Sequence, residues 1–236
     1  MTPVVQRAVY TVLEEGMYFQ TSSTSVDQQE KMLKQQLIGK SEELFMRYGI
    51  RSVSMDDIAK ELGVSKKTLY QQVENKSDLI RQIFLTRSTE EREEIHRMRE
   101  ASRDAIEELV LVAKYMISRL RLISPTSRYD LEKYYQEIHQ ELNQLHMTFF
   151  VQFIQENLRR GIREGLYRTN IEVEVVAKLF VSMAIKLGHN EYFAVREYKL
   201  ENLVQQLFLY HIHGVASEQG METVVDYLGR GEAETL

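Results

Sequence analysis

Proline and glycine are scarce in this chain, and their scarcity restricts the folds open to it. The 236 residues include two prolines and eleven glycines. Both residue types interrupt helices and shape the turns that a sheet needs between its strands. Apolar residues recur at helical spacing over most of the chain, so the sequence predicts an all-α protein with long helices.

The chain contains no cysteine, which removes several classes of protein from consideration. Disulfide frameworks, thiolate metal sites and cysteine nucleophiles all need a thiol. No run of about 18 apolar residues is present, and residues 1–25 lack the basic and apolar regions of a signal peptide. We therefore expect a soluble, cytoplasmic protein that does not bind a membrane.

Charge is distributed unevenly along the chain. The formal net charge is −5, yet the segment from Glu30 to Arg81 holds ten Lys or Arg and eight Asp or Glu. That segment is therefore slightly basic and the remainder is acidic. Proteins that coat nucleic acid along their whole length are usually basic throughout, so any contact with DNA is expected only near the N-terminus.

Two short helical patterns meet at a glycine in this basic segment. Ser54 can cap the first helix, and Asp57 three residues later completes a capping-box variant. Gly63 can take the left-handed conformation that ends this helix, and Ser65 can cap the next one, at about residues 66–73. The spacing is typical of a helix-turn-helix.

These patterns suggest three parts of the chain. Residues 1–28 are predicted to be a flexible N-terminal extension, and residues 29–76 a helix-turn-helix DNA-binding domain. Residues 77–236 are predicted to be a helical regulatory and dimerisation domain. We expect the remaining helices at about 77–99, 102–123, 129–143, 146–164, 172–187, 200–215 and 221–228, with 129–143 and 146–164 either separate or continuous.

The second helix of the pair has the chemistry needed to read a DNA duplex in the major groove. Its outward positions carry donors for phosphates and base edges: Lys66, Lys67, Thr68, Gln71 and Gln72. Tyr70 suits a phosphate beside the groove, and Ser54 and Lys76 are placed to hold flanking phosphates. No acidic residue occurs from Ser65 to Val73. The alternative is a packed helical pair whose polar face is merely solvated.

The segment SMDDIAKELGVSKKTLYQQVENKSDLI closely resembles the DNA-binding signature of the TetR family of bacterial transcriptional regulators. The shared residues are the I-A-x-x-x-G-V-S core, then T-L-Y, then N-K-x-x-L. The resemblance implies phosphate contacts for Thr68, Tyr70 and Lys76. It leaves base reading mainly to Lys66, Lys67, Gln71 and Gln72. Val73 departs from the pattern, since the family usually has phenylalanine there.

The resemblance also implies a helical body that combines a dimer interface with an inducer pocket. The helices expected near 172–187 and 200–215 are apolar around more than one face, which favours a four-helix bundle between two copies. The alternative is an ordinary pair of core helices. Two recognition helices about 34 Å apart would read a palindromic operator in double-stranded DNA.

A small-molecule pocket is expected among aromatic and methionine side chains of the body. The predicted lining is Met116, Tyr134, Tyr135, His139, Phe149, Phe150 and Met183, with Tyr129 and His146 as further polar handles. The alternative is that these side chains are plain core. Gly161 and Gly165, one turn apart, are expected to permit close helix packing.

No catalytic residue, metal site or cofactor is predicted. His139 and His146 lie seven residues apart, a rise of about 10.5 Å, which is too far for one ion on an unbroken helix. Phosphate loops and hydrolase or metalloprotease motifs are absent from the sequence. We therefore expect a homodimeric TetR-like repressor, not an enzyme, that a small molecule releases from its operator. The alternatives are an architectural or partner-controlled DNA-binding factor without an inducer, and an enzyme or carrier whose helix-turn-helix is only structural.

Overall fold

The computed structural model describes residues 28–120, 124–187 and 198–227. These residues are mostly helical and contain no β-strand beyond an isolated bridge between Tyr167 and Ala216. The all-α prediction is therefore confirmed.

The chain divides into two compact units, Met1–Ile83 and Phe84–Leu236, which we call the head and the body. The sequence placed the division between residues 76 and 77, whereas this boundary lies seven residues later, inside a helix. Most of the expected extension, residues 1–27, lies outside the described residues.

The described part of the head contains three complete helices, α1 (28–48), α2 (Met55–Leu62) and α3 (Lys66–Gln72), and the first residues of a fourth. Their apolar faces bury a small core that includes Leu37, Phe45, Ile58, Leu69 and Val73. Val73 was expected to end α3 and is instead its C-cap, with an extended backbone and a buried side chain.

Local caps define α2 and α3. The Asp57 backbone N–H donates to Ser54 Oγ at 3.2 Å, and the Ser54 backbone N–H donates to Asp57 Oδ2 at 2.8 Å. Gly63 ends α2 at φ 65°, a conformation that costs a residue with a Cβ roughly 1–2 kcal/mol. Ser65 then accepts a hydrogen bond from the Thr68 backbone N–H at 3.0 Å. The expected capping box and turn are confirmed.

The remaining helices are α4 (Lys76–Ala101), α5 (Ala105–Leu120), α6 (Pro125–Tyr134), α7 (Gln136–Arg163), α8 (Val173–Leu187), α9 (Leu200–Val215) and α10 (Glu218–Tyr227). α4 begins in the head and continues into the body, where α5 and α7 to α9 surround one apolar core.

The break between α6 and α7 differs from the prediction. We expected helix through Tyr135 and left open whether it is interrupted near residues 143–146, but the chain bends at Tyr135, with φ −130° and ψ 48°. Neither glycine nor proline lies next to Tyr135, so the bend has no local sequence signal. It joins a helix that buries Leu131 to one that buries Ile138. α7 then runs unbroken for 28 residues.

Of the two glycines near the end of α7, Gly161 permits close packing, as the sequence predicts, whereas Gly165 provides a left-handed backbone. A Cβ on Gly161 would lie 2.1 Å from the Tyr167 ring, and Gly165 has φ 75°. The buried Tyr167 hydroxyl lies 3.1 Å from Asn157 Oδ1 and 3.2 Å from the Ala105 carbonyl oxygen. Gly161 therefore lets the chain fold back on α7 and tie it to α5.

Candidate DNA-binding surface and body cavity

One face of α3 is anchored in the core of the head and the opposite face is exposed. Leu69 is buried, whereas Lys66, Lys67, Tyr70 and Gln71 are exposed. Thr68 and Gln72, also predicted to contact DNA, are half-buried at the edges of the exposed face. The side chains predicted to read bases and phosphates therefore share a largely accessible helical surface.

The N-terminal end of α3 already has internal partners. Lys66 Nζ lies 2.6 Å from Asp56 Oδ1, and this hydrogen bond raises the pKa of Lys66. Thr68 Oγ1 lies 2.8 Å from Ser65 Oγ. A phosphate that approaches Lys66 must therefore compete with the carboxylate of Asp56.

Lys76, predicted to hold a flanking phosphate, contacts other residues of the head. Its Nζ donates to the Val53 carbonyl oxygen at 2.5 Å and lies 5.7 Å from the centre of the Phe45 ring. The side chain is half-buried. Lys76 thus has a structural contact that any phosphate contact would have to share or replace.

Ser54, also predicted to hold a flanking phosphate, likewise has a hydrogen-bond partner within the head. Its hydroxyl donates to Asp57 Oδ2 at 2.6 Å, and hydrogen bonds from Ser54 lower the pKa of Asp57. The Asp57 carboxylate therefore already supplies the negative charge that the N-terminus of α2 favours. A phosphate there would meet this carboxylate.

The body contains an apolar cavity of about 240 Å³. Three of the predicted pocket residues line it: Met116 of α5, and His139 and Phe150 of α7. His146, predicted as a polar handle, also lines it. The other predicted residues, Tyr134, Tyr135, Phe149 and Met183, do not.

Helical register explains these differences. Phe149 is on another face of α7, where the Arg92 guanidinium lies 5.1 Å from the centre of its ring. Tyr134 and Met183 are 41% and 40% exposed. Tyr134 and the half-buried Tyr135 lie at the bend that the sequence did not reveal.

Sequence reasoning missed several lining residues. These are Val112, Arg128, Asn143, Phe153, Ile154, Phe180, Val181, Ala184, Ile185, Val204 and Phe208. On α7 a signal was available, since His139, Asn143, His146 and Phe150 follow the i, i+4, i+7, i+11 spacing of one helical face. Arg128, on another helix, had no such signal.

The two cavity histidines have different surroundings. Asn143 Nδ2 lies 3.2 Å from His139 Nε2, and His146 Nε2 lies 3.5 Å from Glu91 Oε2. Burial, followed by the nearby Arg92, lowers the pKa of His146. Across the described residues we find no group of three or more His, Asp or Glu side chains that could hold a metal ion.

α8 and α9 both expose apolar side chains on the outside of the body. Val175, Leu179 and Met183, spaced four residues apart on α8, are 48%, 58% and 40% exposed. On α9 the most exposed large side chain is Tyr210, at 71%. Met183 therefore belongs to this outer stripe of α8. No helix in the described part of the chain is both long enough and apolar enough to cross a membrane.

The structure thus combines a helix-turn-helix in its N-terminal unit with an all-α C-terminal unit. Residues 37–83 match the family model described as bacterial regulatory proteins, tetR family. The resemblance that the sequence shows to this family is thereby confirmed for residues 37–83. No curated protein matches the sequence.

Solved structures share the fold at low sequence identity. A transcriptional regulator from Cytophaga hutchinsonii is 14% identical with a TM-score of 0.67, over 78% of this chain and 98% of that one. The fatty acid degradation regulator FadR from Bacillus halodurans is 17% identical with a TM-score of 0.61, over 77% and 95%. The TetR family protein CprB from S. coelicolor A3(2) is 20% identical with a TM-score of 0.59, over 88% and 100%.

Proposed function

We propose that this protein is a transcriptional regulator of the TetR type, a homodimeric repressor of a palindromic operator, and that a small molecule in the body cavity lowers its affinity for DNA. The α3 helix of each copy enters the major groove, and α8 and α9 form the dimer interface. The observation that carries the proposal is the exposed face of α3, which holds two lysines, a tyrosine and a glutamine and no acidic residue.

The cavity supports a ligand-controlled repressor over a DNA-binding factor without an inducer. Its lining is mostly apolar with a few polar groups, as in sites for small molecules. The exposed stripe of α8 supports the dimer, because an apolar stripe on a long helix is usually covered by another surface.

Selection of bound duplexes from a random DNA pool tests the DNA-binding part. We expect the full-length wild type to enrich a palindromic site and the Lys67→Ala, Tyr70→Ala double variant to lose it. Both side chains are exposed on α3, so their loss should leave the head folded. Lys76 is unsuitable for this test because its replacement also removes the contact with Val53.

Arg163→Ala is the matched control, since Arg163 is an exposed cation on α7 of the body. It should retain selection of the same site. If the wild type enriches no duplex, or if the double variant retains the full enrichment, the proposed role of α3 is wrong.

Sedimentation equilibrium tests the dimer. Leu179→Glu places a charge in the exposed α8 stripe and should shift the protein to monomer, because an unpaired charge is costly to bury in an interface. Val225→Glu makes the same change at an apolar position of α10 that is 63% exposed, and should leave the dimer intact. A monomeric wild type would contradict the proposed dimer, and a dimer that Leu179→Glu leaves unchanged would argue for another interface.

A further inference from the structure

The face of α7 that lines the cavity changes from polar to apolar along the helix. His139, Asn143 and His146 occupy the first part, over about 10 Å. Phe150 and Ile154 continue the same face toward the C-terminal end of the helix. The cavity is therefore polar along one part of α7 and apolar along the next.

The other helices also contribute both kinds of side chain. Phe180 of α8 and Phe208 of α9 add two aromatic rings to the lining, with their ring centres 5.3 Å apart. Arg128 of α6 contributes the one permanently charged side chain among the described lining residues. A molecule that fills this space needs both a polar group and an apolar body.

The charge of the lining favours an anionic ligand. No aspartate or glutamate is among the described lining residues, although Glu132 is close to Arg128 and Glu91 is close to His146. Glu132 Oε1 is 3.2 Å from Arg128 Nε, and both side chains are about one-third exposed, so solvent weakens this pair. A guanidinium has five N–H donors in a planar fork and can bind more than one carboxylate.

The size of the cavity limits the apolar body. A volume of about 240 Å³ equals that of roughly eight liquid water molecules and lies just below the usual range for sites of drug-sized ligands. A compact or medium-length hydrocarbon group fits this volume better than a bulky multi-ring compound.

We propose that the ligand is a small amphipathic monocarboxylate, with its carboxylate beside Arg128 and His139 and its hydrocarbon between Phe150, Phe180 and Phe208. This inference rests on the proposed function, since it identifies the chemical class of the small molecule. The carboxylate gains charge-assisted hydrogen bonds from Arg128, which a neutral head group does not. An amine would place a second cation beside Arg128 without an acidic side chain in the lining.

Titration calorimetry on the full chain tests the class with three probes that share one hydrocarbon body: octanoate, octanamide and octylamine. At neutral pH we expect octanoate to bind roughly tenfold more tightly than octanamide, the scale of one charge-assisted hydrogen bond. Octylamine should bind most weakly. If octylamine or octanamide binds as tightly as octanoate, or if none of the three binds, the proposal is overturned.

Two variants test whether Arg128 causes the preference for octanoate over octanamide. Arg128→Gln should remove the preference for octanoate over octanamide while octanamide still binds, and Arg163→Gln, outside the lining, should retain the preference. A preference that survives in a folded Arg128→Gln protein would contradict the assigned role. If Arg128→Gln fails to fold, the comparison of head groups on the wild type still decides the class.

The duplex selection, run on the same preparation, separates the two proposals. A protein that selects a palindrome but binds none of the three probes refutes the monocarboxylate and leaves the DNA-binding role standing. A protein that binds octanoate but selects no duplex refutes the DNA-binding role. Release of the selected duplex by octanoate, and not by octylamine, is the result expected when both proposals hold.

Discussion

The head and the body are both helical, yet different interactions define their structures. In the head, the caps at Ser54, Gly63 and Ser65 act within a few residues and mark the ends of α2 and the start of α3. In the body, the Tyr167 hydroxyl lies 3.2 Å from the carbonyl oxygen of Ala105, which is 62 residues away in the sequence. The comparison teaches that short helices with strong caps can be located from a local pattern, whereas the packing of long helices depends on distant partners.

The largest effect expected from this contrast concerns His211 of the body. Its side chain is 6% exposed, stacks against Phe180 at 4.1 Å, and burial lowers its pKa to about 4. The unfolded chain takes up a proton below about pH 6.5, while the folded protein resists protonation down to about pH 4. The free energy of unfolding should therefore fall by about 3 kcal/mol as the pH drops through this window, and should not change from this cause above it.

Urea unfolding at several pH values measures this effect. His211→Gln should flatten the dependence between pH 6.5 and 4, whereas His213→Gln, at an exposed position of α9, should keep it. Equal pH dependence in the wild type and in His211→Gln would refute the role of this histidine.

The next effect compares two glycines, one in each unit. Gly161→Ala should lower the free energy of unfolding by about 2 kcal/mol, because the new Cβ would overlap the buried Tyr167 ring. Gly39→Ala, within α1, meets nothing within 4 Å and should raise helix stability by about 0.5–1 kcal/mol. Thermal unfolding of the two variants should therefore shift in opposite directions. If Gly161→Ala raised the stability as Gly39→Ala does, the close approach of Tyr167 to Gly161 would not determine the effect of the substitution.

The helix caps of the head should show an intermediate effect. Ser54→Ala removes both the acceptor for the Asp57 backbone N–H and the hydroxyl that donates to the Asp57 carboxylate, at a cost of about 1 kcal/mol. Hydrogen exchange should reveal the loss in α2 and leave the body unchanged. Ser52→Ala, at an exposed position before the helix, is the control. Faster exchange spread evenly over both units would contradict a local role for the cap.

The smallest effect concerns the ion pair at the start of α3. Asp56→Asn should strengthen binding to random-sequence DNA by a few fold at low salt, because Lys66 no longer has a competing carboxylate. The salt dependence should become steeper by up to about one phosphate equivalent. Glu43→Gln removes the same charge from the α1 surface and should change binding less. Equal effects of the two variants would indicate net charge alone, without a specific role for Asp56.

Several features that the sequence did not reveal share one physical cause. Met183 was expected in the pocket because methionine suits an apolar lining, but composition does not show which face of α8 is buried. Lys76 matches a phosphate-binding position of the family motif, yet its Nζ donates to Val53, 23 residues away. The bend at Tyr135 carries no glycine or proline. Each outcome depends on a partner that is remote in sequence, and no local pattern reveals it.

The sequence by itself determined the all-α class, the helix-turn-helix and the exposed chemistry of α3. These features follow from helix caps, left-handed glycines and helical periodicity, which act between residues about one turn apart. Only the tertiary structure decided that His139, Asn143 and His146 face the same cavity as Arg128, and that Leu179 and Met183 face outward. The reason is that a long helix has several apolar or polar faces, and packing against other helices selects which of them is buried.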